Sequence, residues 1–117
     1  MDERLKKALE FSNYMVTLNN QKKILIEQYY QNIIFYFAGG QFTVTQNLIC
    51  FCATMLQKNQ EDLVLIDDNK IPILIENLEK FYNDILDLYF NASNKFLNEY
   101  NLLKVKRSTG KLVGTDV

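Results

Sequence analysis

The most constraining feature is a run of apolar residues in the second half of the chain. Leu78, Tyr82, Ile85, Tyr89, Ala92, Phe96, Tyr100 and Leu103 follow one another at steps of three or four residues. That spacing puts them on one face of a helix and comes close to a coiled-coil seam. It predicts a long helix over 76–106, spanning roughly 45–50 Å at ~1.5 Å per residue. A similar recurrence runs through Ala8, Phe11, Met15, Leu18, Leu25, Tyr29, Ile33 and Tyr36. It predicts a first helix from Glu3 to Phe37, ended by Gly39 as the left-handed residue after the helix. Phe35-Tyr36-Phe37 also has strand-forming residue types. The competing reading turns it through Ala38-Gly39-Gly40 into a second strand.

Between these helices the sequence predicts smaller elements. Gln41 to Val44 reads as a short strand. Thr45 is placed to cap a helix over Gln46–Gln57, whose apolar residues cover most of its circumference. Leu63–Ile66 and Ile71–Ile75 flank the turn residues Asp67-Asp68-Asn69-Lys70 and predict a β-hairpin. A two-residue loop at Asp68-Asn69 would pair Pro72 with Leu65 at a hydrogen-bonded position, where proline has no N–H to give. A four-residue loop, Asp67 to Lys70, with Pro72 at a non-bonded position on an edge strand, is therefore expected. Arg107 to Val117 lacks periodicity and is expected to be a flexible tail. The expected fold class is α+β, mostly α. Two long antiparallel helices, a middle helix and a small antiparallel hairpin make one domain over residues 1–106.

Helices of that length exceed a globule of 117 residues, whose radius of gyration would be about 13 Å. Even paired with each other, they keep apolar residues on second faces: Ile26, Tyr30, Ile34 and Phe37 on the first, Leu86, Phe90, Leu97 and Leu102 on the last. Exposed apolar area of that extent marks a partner surface. Tyr29, Tyr30, Ile33, Ile34, Phe37, Tyr89, Phe90, Phe96, Leu97 and Tyr100 are the candidate interface residues. The expected partner is a second copy of the chain or a larger protein. Burial contributes roughly 25 cal/mol per Å² of apolar area, so one long seam could hold a dimer.

Composition narrows the chemistry. There is no histidine, which removes the commonest general base and metal ligand. The two cysteines, Cys50 and Cys52, are too close for an ordinary disulfide within one element. They are too few for zinc and are expected to be buried free thiols in a reducing, cytoplasmic setting. No apolar run approaches the ~18 residues of a membrane span, and the charged start, Met1 to Lys7, does not resemble a signal peptide. Glu61, Asp62, Asp67, Asp68, Glu76 and Glu79 are expected to form a turn and a solvated surface. No catalytic residue, cofactor or metal site is expected. Thirteen basic against fourteen acidic residues give a net charge of −1, which does not favour a dedicated nucleic-acid binder. Lys104, Lys106, Arg107 and Lys111 still form a basic cluster. They are the candidate contacts of an alternative reading, a small regulator of nucleic acid or RNA polymerase.

Three stretches carry a resemblance. They are Gly39-Gly40-Gln41-Phe42-Thr43-Val44-Thr45 with Leu48-Ile49, Leu65 to Ile73 running into Glu76-Asn77-Leu78, and Lys106-Arg107-Ser108 with Lys111-Leu112-Val113. With these the chain resembles small uncharacterised proteins of T-even-like marine phages. The resemblance implies a phage setting and no defined activity. The expected function is thus a non-enzymatic structural or assembly protein acting through helix-mediated association.

Overall fold

The computed structural model describes residues 2–116, with side chains described for residues 2–106. The element order is α1 (Glu3–Asn32), β1 (Ile34–Phe37), β2 (Gly40–Thr43), α2 (Gln46–Gln57), β3 (Leu63–Ile66), β4 (Pro72–Ile75) and α3 (Leu78–Asp116). The fold is α+β and mostly α, with three helices and two antiparallel two-stranded sheets. The chain packs as two compact units, Met1–Gln28 with Lys95–Val117, and Tyr29–Asn94.

In the first unit, parts of α1 and α3 pack together and bury Leu18 and Leu103. Helix α3 runs past Lys106, where the apolar periodicity ends, to Asp116. No proline intervenes there, and Gly110 and Gly114 weaken a helix without stopping it. The tail expected from Arg107 onward is thus helix as far as Asp116.

The second unit corrects the expected end of the first helix. Helix α1 stops at Asn32, and Ile34–Phe37 is a strand paired with Gly40–Thr43. Ala38 and Gly39 both have positive φ, 51° and 80°. This is the two-residue type I′ turn whose twist matches a hairpin. Tertiary burial decides the matter. As a strand, the segment sets Phe35 and Phe37 beside Phe42 on one face, and all three rings surround Phe81 at centroid distances of 5.7, 5.4 and 5.5 Å. Phe81 is fully buried. It lies beside the predicted seam of α3 rather than on it.

Helix α2 has the expected bounds. Thr45 caps it by accepting the Leu48 amide at 3.2 Å. Its C-terminus closes with Asn59 at φ 62°, the Asn59 amide donating to Leu56 and the Gln60 amide to Met55. That is a Schellman motif with asparagine in the left-handed position. Asn77 caps α3 through its Oδ1, which accepts the Lys80 amide.

The second hairpin pairs Leu65 with Ile73 and Ile66 with Pro72. The connection is therefore five residues, Asp67–Ile71, rather than the four expected. The Asp67 amide donates to the Ile71 carbonyl at 2.9 Å. Ile66 and Pro72 thus form a non-hydrogen-bonded pair, and the missing proline N–H costs the ladder nothing. Leu65, Ile73 and Ile75 enter the core, while Val64, Ile66, Pro72 and Leu74 face outward. The two hairpins meet where Gly40 lies against Ile73; a Cβ on Gly40 would stand 2.8 Å from Ile73 Cγ1.

Phe81→Ala should cost ~3–5 kcal/mol, the usual range for emptying a buried aromatic site. A urea titration followed by circular dichroism checks this.

Candidate functional site

The acidic turn is built differently from the solvated surface expected. Asp67 is buried, 3% exposed. Its Oδ1 accepts the amides of Ile71 at 2.8 Å and Asn69 at 3.0 Å, and its Oδ2 accepts the Gln41 amide at 3.0 Å. Asp68 completes the bridge between the hairpins. Its amide donates to the Gln41 carbonyl, its Oδ1 accepts the Thr43 amide, and its Oδ2 accepts the Thr43 hydroxyl at 2.7 Å. The Ile71 amide, followed by those of Gln41 and Asn69, holds the Asp67 carboxyl below its ordinary value. These bonds join the two hairpins.

The remaining acidic residues of the predicted cluster are exposed. Glu61, Glu76 and Glu79 line a shallow groove of about 470 Å³. Among the described residues, no group of His, Cys, Asp or Glu is placed to hold a metal ion.

The two cysteines separate. Cys52 is fully buried, and burial pushes its thiol up to about 11. Cys50 is exposed, against the expectation that both would be buried. Two positions along a helix differ by roughly 200° of rotation at 3.6 residues per turn. The apolar run around them therefore cannot bury both.

The candidate interface residues divide by exposure. Ile33 belongs to the core, and Phe37, Tyr29 and Tyr89 pack against it. Ile34, Phe96 and Tyr100 are half-buried. Tyr30, Phe90 and Leu97 are exposed. On α3 the residues of the predicted seam face inward together with Phe81, while Phe90 and Leu97 lie exposed on its second face. Tyr29, Tyr30 and Tyr89 line a groove of about 340 Å³ with the first turn of α2, where Gln46 Nε2 donates to the Tyr89 hydroxyl at 2.8 Å. Burial raises the Tyr29 hydroxyl above its ordinary value. Sequence reasoning missed the outer face of the second hairpin. Val64 pairs with Leu74 and Ile66 with Pro72, so four exposed apolar side chains share one surface. The signal was present: both strands are apolar at consecutive positions, where a half-buried sheet would alternate.

In the helical unit, Gln21, Ile24, Leu25, Glu99, Leu102, Leu103 and Lys106 line an open, mainly apolar groove of about 290 Å³. Of the basic cluster, Lys104 and Lys106 are exposed, and Lys104 Nζ sits 5.2 Å from the centre of the Tyr100 ring, a cation–π distance. The side chains of Arg107 and Lys111 lie outside the described residues. Among the described residues, no helix is long and apolar enough to cross a membrane.

Compared with known proteins, the chain matches no family model, no curated protein and no solved structure.

Two measurements follow from this chemistry. A thiol reagent at mildly alkaline pH should modify Cys50 quickly and Cys52 only after denaturant is added, as counted by mass spectrometry. The stabilisation owed to the depressed Asp67 carboxyl is complete above its unfolded value, near 4, and is lost as pH falls through the folded value. Asp67→Asn should therefore lower stability at neutral pH and flatten the acid limb, seen in urea midpoints between about pH 6 and pH 3.

Proposed function

We propose that this chain is a non-enzymatic structural or assembly protein that acts by covering its apolar helix faces with copies of itself. The observation that carries this reading is the incompleteness of its helical unit. Among the described residues, that unit buries Leu18 and Leu103, while Phe11, Val16, Ile24, Leu97, Leu102 and Val105 stay exposed. Two helices packed on each other alone leave such faces open, and helical bundles cover them by adding helices. A second copy supplies two.

The energetics are balanced. Fully burying a Leu, Ile, Val or Phe side chain contributes roughly 1.5–3 kcal/mol. Association costs ~4–15 kcal/mol in lost freedom. Half-exposed side chains contributed by both copies fall within that span, so protein concentration decides the outcome. The phage resemblance adds a setting, a particle or a host cytoplasm, in which one chain is used in many copies.

Light scattering on a size-exclusion column, over a range of concentrations, tests the proposal. The expected mass is a multiple of 13.8 kDa that falls on dilution, and Ile24→Asp with Leu102→Asp should weaken association at least tenfold. A 13.8 kDa species at every concentration overturns it. The alternative, a regulator working through Lys104, Lys106, Arg107 and Lys111, predicts nucleic-acid binding that falls steeply with salt. Replacing those four residues would then abolish activity and leave the mass unchanged.

A further inference from the structure

The two sheets of the second unit present four strand edges, and their protection is uneven. At β2, the outward amides of Gln41 and Thr43 and the Gln41 carbonyl are taken up by Asp67 and Asp68. At β4, Pro72 sits at an outward-facing position and has no N–H to offer. At β3, the chain leaving the strand turns its Asp68 amide onto the Gln41 carbonyl, so β2 occupies the end of that edge.

β1 has no such device. The Val44 amide donates to the Ile33 carbonyl at 2.7 Å, which makes that pair hydrogen-bonded. Alternation along the ladder then leaves Ile34 and Tyr36 at non-bonded positions opposite Thr43 and Gln41. Both point their N–H and C=O away from β2, and among the described residues no hydrogen bond reaches them. The Tyr36 side chain is 71% exposed. Proteins normally guard such an edge with lysine, proline, a bulge or an inward charge. This strand reads Ile-Phe-Tyr-Phe, and no charged residue occurs between Glu27 and Lys58.

We propose that β1 is a self-association edge, at which β1 of a second copy adds antiparallel across a two-fold axis at Phe35. This rests on the self-association reading and assigns it a second contact, separate from the helix faces. The two-fold arrangement sets Ile34 of one copy opposite Tyr36 of the other, twice. It is the one antiparallel register that pairs both outward-facing residues of each strand, and it satisfies all four N–H groups with all four carbonyls. It also places a β-branched side chain beside an aromatic one on the outer face, a favourable cross-strand combination. The absence of charge lets identical strands meet without repulsion. The product is a four-stranded sheet, β2-β1-β1-β2.

Amide hydrogen exchange on the full chain, read by NMR at several concentrations alongside the light-scattering mass, tests this edge. The Ile34 and Tyr36 amides should exchange freely at dilution and slow at least tenfold as the mass rises. Tyr36→Lys, whose side chain lies outside the core, should retain the parent's circular dichroism, weaken association at least tenfold and restore fast exchange at Ile34. If the mass rises while both amides stay fast, β1 pairing is overturned and association through the helix faces stands. If the mass stays at 13.8 kDa throughout, both readings fall. Protection that persists at dilution means that the chain's own residues cover the edge, which also overturns the proposal.

Discussion

The amides of Gln41 and Thr43 point out of the first hairpin and need acceptors; Asp67 and Asp68 supply them from the second. This exchange decides much of the β-structure. Neither two-stranded sheet would be stable alone in water. The carboxylates fasten one to the other without a shared ladder, and the apolar contact of Gly40 with Ile73 closes the same junction. The buried Asp67 carboxylate is expensive to separate from its amides, because each lost bond leaves a polar group poorly served by water. The junction also occupies the edge of β2 and leaves that of β1 without a guard.

Phe81 works from the other side. It brings a fully buried ring from α3 into the face formed by Phe35, Phe37 and Phe42. Tilted and edge-on ring contacts at these distances add to plain area burial. The aromatic cluster explains why Ile34–Phe37 is extended. As a helix, the segment would splay Phe35 and Phe37 about 200° apart and lose one of them from Phe81.

What could be read from the sequence follows the strength of local signals. Thr45 as a cap, the bounds of α2, the existence of the second hairpin and the non-bonded position of Pro72 all rest on short-range stereochemistry. The inward face of α3 rests on eight regularly spaced residues. The end of α1 was ambiguous because the pairs Tyr29-Tyr30 and Ile33-Ile34 fit a helical period, while their residue types fit a strand. Only a residue far along the chain, Phe81, separates the two. Asp67 looked like any turn aspartate, since its burial depends on Gln41 from another hairpin. Of the candidate interface, the exposure of Tyr30, Phe90 and Leu97 follows from their place on a second helix face. The inward place of Ile33 follows from the strand pairing that begins beside it.

The position of Phe81 has a consequence for synthesis. The chain emerges from its N-terminus, so β1, β2 and α2 are complete before α3 exists. Until Phe81 is made, the rings of Phe35, Phe37 and Phe42 lack the ring they surround, and two of them lie on an uncharged strand. The nascent chain passes through a stage in which the aromatic strand is present and the helix that completes its packing is not. Slow elongation before α3 would prolong that stage, and fast elongation or a chaperone that shields short aromatic segments would shorten its effect.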